Sequence, residues 1–416
     1  MAKLFIYPDE LLEQITDDLK SQFNIIFDLT TITPNSSSSY REMKDMFNIE
    51  DKTKSLTIND IFTKSTTTLT FTNSSTNKTE TFNLMKDYTL ASGGFNIISK
   101  YTSTIDPTKI YIFREAKNTV KNTPFDCFYE NLKHIILYII MYRYNNQNKV
   151  IPKPIGIGVI NGTTNIGFLS ESGDLNLEEY CRKNIRYVDD NSTKSNKDKI
   201  DKFKKILFRI FDSLYNLNKI PGLPILHFQH SDIKLENIVL LNSTTDPYPL
   251  IIDFGFSSFK LGNIFFICPS PPTYANKLNV NKDINTQYYF PIVDFLTLLF
   301  DYYKKDRNSD LKLRYMFSEC NYENNVFNHR KLIELFTNKD LEAKYWPGVV
   351  YNQLFNEYII NLSVTSTKIL ALDYNIEPIG LKRCMGIKDD LIMDKYTQKY
   401  LKYKQKYLQL KSYLNI

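Results

Sequence analysis

The sequence is poor in the residues from which covalent and metal-based frameworks are built. Its 416 residues include five cysteines and four histidines. The cysteines are scattered without a C-x-x-C pair and the histidines do not cluster, which argues against a disulfide framework and a structural metal site. Scattered cysteines without a pairing pattern are typical of a reducing compartment, so we expect an intracellular, cytoplasmic protein.

Long hydrophobic runs are also missing. The longest apolar run extends from Ile135 to Tyr142, whereas a helix needs about 20 apolar residues to cross a bilayer. The N-terminal residues likewise lack the apolar core of a signal peptide, so no transmembrane segment is expected. A net charge of +6 is too diffuse over this length to indicate a specific nucleic-acid partner.

Local patterns favour an ordinary globular chain, with 42% hydrophobic and 24% charged residues. Residues 8–19 have the spacing of an amphipathic helix, and the runs 66–72 and 79–84 predict a β-hairpin. From residue 89 to residue 169 the patterns predict the order β-β-β-α-β-β. After residue 177, helical patterns dominate.

The most informative stretch reads H-x-D-x-K-x-x-N over residues 230–237 and is followed by I-I-D-F-G over residues 251–255. Together the two stretches bring two carboxylates, an amide and a lysine into the spacing that phosphoryl transfer needs. Each residue alone would be an ordinary turn or capping residue. Their joint pattern resembles the catalytic core of eukaryotic-type Ser/Thr protein kinases.

The resemblance implies a role for each of four residues. Asp232 would orient the acceptor hydroxyl and accept its proton, and Lys234 would neutralise the transferred phosphoryl group. Asn237 and Asp253 would hold Mg²⁺, which prefers oxygen ligands, against the phosphates of ATP. The implied cofactors are therefore ATP and Mg²⁺.

A degraded glycine-rich loop lies upstream of these residues. Gly93 and Gly94 keep the backbone small where phosphates would approach, while Ala91 and Asn96 occupy the outer glycine positions of the family motif. Asparagine tolerates positive φ better than most residues. A Gly-Gly pair between strands is also typical of a plain hairpin, and this alternative stays open.

The third predicted strand ends in Arg114, where the family has a lysine that grips the α- and β-phosphates. Glu130 on the following helix is its expected ion-pair partner, and Lys117 is the alternative to Arg114. Arginine keeps the charge but is longer and forked. Glu171 begins a stretch that resembles the hinge, whose backbone would hold adenine.

Other positions depart from the family. Ser231 replaces the arginine that usually precedes the catalytic aspartate, and no A-P-E motif follows. Asp294 lies in an apolar helical pattern and needs a partner there, which fits the buried aspartate that braces the catalytic loop in this family. Three functions stay open: an atypical Ser/Thr protein kinase, a pseudokinase or scaffold, and a small-molecule kinase of the aminoglycoside or choline type.

The fold that this resemblance implies is α+β, a bilobal protein-kinase-like fold. It would have a small antiparallel β lobe with one long helix and a larger, mainly helical lobe. The expected parts are an N-terminal extension with helix and hairpin (1–84), the small lobe (85–175), the large lobe (176–372) and a basic amphipathic helical tail (373–416).

The tail repeats tyrosine and leucine at spacings of four and three from Tyr396 to Leu414, with lysines between them. This pattern predicts a heptad helix that engages a protein substrate or a scaffold partner. A helix packed on the protein itself, or one lying on a membrane surface, is the alternative. The Lys-Tyr-Leu pattern of this tail resembles the tails of giant-virus proteins. A viral source would imply that the protein is found in the host cytoplasm or in the virion.

Overall fold

The computed structural model describes most of the first 266 residues. The described residues are 7–32, 39–48, 54–85, 91–92, 96–116, 123–144, 150–186, 193–217, 228–262 and 264–266, with the single positions 188, 220, 223, 226, 294, 298, 301, 302 and 305. All belong to the first of two compact units, residues 1–270 with 288–318. The second unit, residues 271–287 with 319–416, lies outside the described residues, as does the heptad helix expected there.

Five α-helices have bounds within the described residues, and the single positions 294, 298, 301, 302 and 305 are helical as well. The five helices are α1 (Pro8–Phe23), α2 (Ser39–Met46), α3 (Pro124–Tyr144), α4 (Leu177–Tyr180) and α5 (Lys194–Asn216). The predicted helix at residue 8 is confirmed and runs one turn past its predicted end. It ends where Asn24 turns left-handed (φ 52) and caps the last carbonyls. None of the described helices is both long enough and apolar enough to cross a membrane.

The strands are mostly short and antiparallel. They are β1 (Ile25–Ile26), β2 (Thr57–Ile58), β3 (Ile61–Lys64), β4 (Thr68–Asn73), β5 (Lys78–Leu84), β6 (Ala91–Ser92), β7 (Asn96–Ser103), β8 (Ile110–Ala116), β9 (Pro154–Ile160), β10 (Ile166–Glu171), β11 (Leu175–Asn176), β12 (Ile238–Leu241), β13 (Tyr248–Ile251), β14 (Phe259–Leu261) and β15 (Ile264–Phe266). The predicted hairpin is confirmed as β4 and β5.

Seven strands close into a barrel. They pair in the order β3, β4, β5, β7, β8, β10 and β9, and β9 returns to β3. The β3–β9 pair is parallel, and the other neighbours are antiparallel. Closure depends on the pairing of β5 with one half of β7, while β6 pairs with the other half. A closed sheet has no unpaired edge along these strands.

Large aromatic side chains fill the barrel. Its buried core comprises Phe62, Leu69, Phe71, Phe82, Tyr101, Tyr111, Phe113, Ile160 and Leu169. Two glycines make room for the rings: a Cβ at Gly156 would lie 2.3 Å from Phe71, and one at Gly167 would lie 2.5 Å from Phe113. The small lumen is therefore packed by side chains, as expected for a barrel of few strands.

The bilobal protein-kinase-like fold predicted from the sequence is wrong. The chain is α+β, but its main sheet is a closed seven-stranded barrel, which is not the small antiparallel lobe of a bilobal fold. The prediction failed because alternation identifies strands but not their distant partners. The four-part division of the chain stays a prediction, although strands from both sides of residue 84 share the barrel.

Helix α3 connects the barrel to the rest of the described residues. It is buried on nearly every face, as its apolar sequence dictates, and it contacts β9 and β10. Two N-terminal helices hold its ends: Asp18 of α1 pairs with Arg143, and Tyr40 of α2 donates a hydrogen bond to Asp126. A second sheet has the strand order β11–β12–β13, and the loop that follows β13 accepts hydrogen bonds from Lys133 of α3.

Candidate active site

A buried aspartate holds the backbone of the loop at residues 230–237. The amide of His230 donates to Asp294 Oδ2 at 2.6 Å, and the amide of Ser231 donates to Oδ1 at 3.1 Å. Ser231 has a φ of 65°, a conformation that costs energy for a non-glycine residue. Burial raises the pKa of Asp294 to about 6, although the two amides oppose this shift. The bracing contact expected from the sequence is present.

Three side chains of this loop converge. Lys234 Nζ donates to Asp232 Oδ2 at 2.9 Å. Asn237 Nδ2 donates to the Asp232 carbonyl at 2.8 Å and to its Oδ2 at 3.2 Å. Burial lowers the pKa of Lys234, but the hydrogen bond to Asp232 and the nearby carboxylates outweigh it and raise that pKa overall. The Asp232 carboxylate is thus fixed between an ammonium and an amide.

The second loop is tied to the first and carries Asp253. The amide of Ile252 donates to the Asn237 carbonyl at 3.0 Å. Asp253 follows with a φ of 67°, a second strained position within one site. A Cβ built on Gly255 would lie 3.5 Å from Asp253 Oδ1 and 3.4 Å from Glu130 Oε2. The two carboxyl groups therefore flank the same glycine.

Arg114 and Glu130 form the ion pair expected from the sequence. Arg114 Nη1 lies 3.3 Å from Glu130 Oε1, with about 8% and 16% of the two side chains exposed. Asn96 Nδ2 also donates to Glu130 Oε2, at 3.5 Å. Burial and the charge of Asp253 raise the pKa of Glu130 to about 7, against the opposing effect of Arg114 and Lys133. Glu130 thus links the cation on β8 to the carboxylate after β13.

Ring contacts at Phe254 hold the loop that carries Asp253. The Phe254 ring lies 5.5 Å from the ring of His230 and 5.2 Å from that of His134. His134 Nε2 lies 2.8 Å from the Pro152 carbonyl, which assigns the proton to Nε2. Burial lowers the pKa of His134 to about 3, so the ring is neutral. The rings hold the residue next to Asp253 without adding a charge.

Of the remaining predicted residues, the structure describes Ala91 and Glu171. Ala91 is in β6, paired with Ile98, while Gly93, Gly94 and Lys117 lie outside the described residues. The Glu171 amide donates to the Lys153 carbonyl at 2.9 Å, and the next amide donates to the Ile110 carbonyl at 2.9 Å. Because both N–H groups already donate to carbonyls of the protein, they are not free to bind an adenine base.

Lys133 is a residue that the sequence reasoning missed. Its ammonium is buried and donates to the carbonyls of Gly255 and Ser257 at 2.8 Å each. A signal was available, because Lys133 is three residues after Glu130 and two residues before the apolar run that begins at Ile135. Residues at that spacing share a helix face, so the sequence alone indicates that Lys133 lies beside the predicted Glu130.

The residues present fit ATP and Mg²⁺. Among the described residues no three His, Cys, Asp or Glu side chains cluster as a metal cage. Mg²⁺ instead commonly uses one or two protein ligands together with phosphates, and Asn237 and Asp253 supply such oxygens. Arg114 Nε is buried without a hydrogen-bond partner in this part of the chain, a donor suited to a phosphate oxygen.

No family model matches the chain, and no curated protein matches it. With the closed barrel, this result overturns the expected membership of the Ser/Thr protein kinase superfamily and the resemblance to kinase-like proteins of giant DNA viruses. The short motif at residues 230–237 was a local match in a chain whose main sheet is built differently. The function therefore has to be argued from the site itself.

Proposed function

We propose that this site binds ATP with Mg²⁺ and transfers a phosphoryl group to a Ser or Thr hydroxyl of a protein. The observation that carries the proposal is the convergence of three groups at one place. The Asp232 carboxylate is fixed by Lys234 and Asn237, and the Asp253 carboxylate stands beside the Arg114–Glu130 pair. A proton acceptor, metal-ligand oxygens and a phosphate-binding cation are the parts that phosphoryl transfer needs.

Each residue has a task that follows from its contacts. Asp232 accepts the proton of the acceptor hydroxyl, and Lys234 places a positive charge beside it. Asn237 donates its Nδ2 hydrogens to Asp232, so its Oδ1 is the atom suited to a cation. Arg114 binds phosphate oxygens, and Glu130 orients it. When bound, ATP would supply the phosphoryl group and leave as ADP, and Mg²⁺ would neutralise the charge that develops on the phosphate oxygens.

A scaffold with weak or no catalysis is the second candidate. It is favoured by the backbone amides at residues 171–172, which donate to carbonyls of the protein itself. The proposal also includes a protein partner in the cytoplasm, engaged through the C-terminal Lys/Tyr/Leu helix. That helix lies outside the described residues, so its support is the sequence pattern alone.

The binding half of the proposal is tested by titrating ATP calorimetrically with Mg²⁺ and with EDTA. Wild-type protein should bind ATP more tightly with Mg²⁺. In Asp253→Asn, the increase in ATP affinity that Mg²⁺ causes should be smaller by about tenfold or more, because a charged metal ligand becomes neutral. Asp9→Asn, at an exposed position of α1, is the matched control. Absence of binding by the wild type, or equal binding by Asp253→Asn, would refute the proposal.

A further inference from the structure

Lys133 is a fully buried cation that donates hydrogen bonds to two carbonyls of one short loop. Its Nζ donates to the Gly255 carbonyl and to the Ser257 carbonyl, both at 2.8 Å. The ammonium also lies 5.3 Å from the centre of the Tyr129 ring, a cation–π distance. Burying an ammonium is costly unless its hydrogens are bonded, and here the bonds are made to backbone atoms of the loop that follows Asp253.

That loop holds an unfavourable backbone conformation. Asp253 has a positive φ of 67°, which for a non-glycine residue persists only when surrounding contacts fix it. The hydrogen bonds within the loop involve residues after Asp253: the Ser257 amide and hydroxyl both donate to the Phe254 carbonyl, at 3.1 and 2.7 Å. The bonds from Lys133 attach this small turn to a helix, at residues two and four positions after Asp253.

The same helix carries Glu130, three residues before Lys133 and on the same face. Glu130 lies beside Gly255: a Cβ built on that glycine would be 3.4 Å from Glu130 Oε2, an ordinary van der Waals distance. One turn of α3 therefore touches the loop twice, through a carboxylate near Asp253 and through an ammonium on the next residues. The position of Asp253 is coupled to the position of α3.

We propose that Lys133 is a positioning residue that fixes the Asp253 carboxylate for Mg²⁺ by attaching the carbonyls of residues 255 and 257 to α3. This inference rests on the proposed function, because it assigns Lys133 to the same site. In this role Lys133 acts through the loop, by its bonds to the two carbonyls. Its loss should weaken metal-dependent binding of ATP and leave metal-free binding unchanged.

The test compares Lys133→Met, which has a similar length but no donors, with Lys133→Arg, which keeps donors. Lys20→Met, at an exposed position of α1, is the matched control. Hydrogen–deuterium exchange of residues 253–258 reports on the loop directly, and ATP titrations with Mg²⁺ and with EDTA report on the site. Lys133→Met should speed exchange in this segment and weaken Mg²⁺-dependent ATP binding about tenfold, with part of the affinity restored by arginine.

The outcomes separate the two claims. If the wild type binds Mg²⁺·ATP and Lys133→Met binds it equally well, the positioning role is wrong and the proposed function stands. If the wild type shows no Mg²⁺-dependent binding, the proposed function and this role fall together. If Lys133→Met does not fold, Lys133→Leu, which also lacks donors, is measured by the same two readouts; unchanged exchange and affinity would then overturn the role.

Discussion

The interior of the barrel and the cluster of charged residues around Asp253 are both buried, but the barrel buries hydrophobic side chains and the cluster buries charged groups. The barrel core consists of hydrophobic side chains dominated by aromatic rings. The cluster contains Arg114 and Lys133 as buried cations and Asp294 as a buried carboxylate. Burying rings removes apolar area from water and stabilises the fold, whereas burying charges costs free energy that hydrogen bonds and ion pairs only partly offset.

The difference assigns separate roles to the two regions. The barrel stabilises the fold and provides β8, and thereby Arg114, with a rigid support. The cluster contributes little net stability, and it holds Asp232 and Asp253 in strained or desolvated positions. Substitutions in the barrel should therefore change the free energy of unfolding, and substitutions in the cluster should change pH dependence and ligand binding.

The largest effect on stability is expected in the barrel. Phe113 is fully buried, and its ring packs against Phe62 at 4.9 Å between centroids. Phe113→Ala should lower the free energy of unfolding by about 3–5 kcal/mol, because it leaves a cavity in a closed core. Urea denaturation followed by far-ultraviolet circular dichroism measures this change.

Ile105→Ala is the control for that substitution, since 80% of Ile105 is exposed. It should change stability by less than about 0.5 kcal/mol. A loss of less than about 1 kcal/mol for Phe113→Ala would contradict the barrel as the source of stability.

A smaller effect, dependent on pH, is expected in the cluster. The pKa of Glu130 is raised to about 7 in the folded protein, so between its unfolded pKa and 7 the folded state holds a proton that the unfolded state lacks. Stability from this group is therefore lost as the pH rises through 7. Glu130→Gln resembles the protonated acid and should gain roughly 1–3 kcal/mol relative to wild type between pH 5 and pH 8.

Denaturation curves of both proteins at pH 5, 6.5 and 8 measure this difference. His134 also changes stability with pH: because its pKa is lowered in the folded protein, the free energy of unfolding falls as the pH decreases below 6.5. Both proteins contain His134, so the difference between wild type and Glu130→Gln reports on Glu130 alone. Glu13→Gln, at an exposed position, should show no such trend. A constant difference between wild type and Glu130→Gln across this range would contradict the desolvated site.

Local features of the site were predictable from the sequence, and distant pairings were not. The resemblance implied the Arg114–Glu130 contact, and strand alternation supported the choice of Arg114. It also implied the Asp294 contact, which the need of a carboxylate in an apolar pattern for a partner supported. Closure of the barrel was not predictable, because nothing local in β5 specifies β7 as its partner.

Other misses have the same origin. Lys133 donates to carbonyls more than a hundred residues away along the chain, and backbone carbonyls leave no mark in a sequence. The engaged amide of Glu171 was missed for that reason too, since its acceptor is the carbonyl of Lys153 on a neighbouring strand connection. Side-chain chemistry can be predicted from residue types, whereas backbone partners require the fold.

The measurement that tests the central claim most directly is transfer of ³²P from γ-labelled ATP, with Mg²⁺, to an unstructured acceptor protein that contains serine and threonine. Wild-type protein should label the acceptor, and Asp232→Asn should reduce the rate by about 100-fold or more, since the proton acceptor is lost. Asp9→Asn should label it at the wild-type rate. No labelling by wild-type protein that binds Mg²⁺·ATP, or equal labelling by Asp232→Asn, would contradict the account.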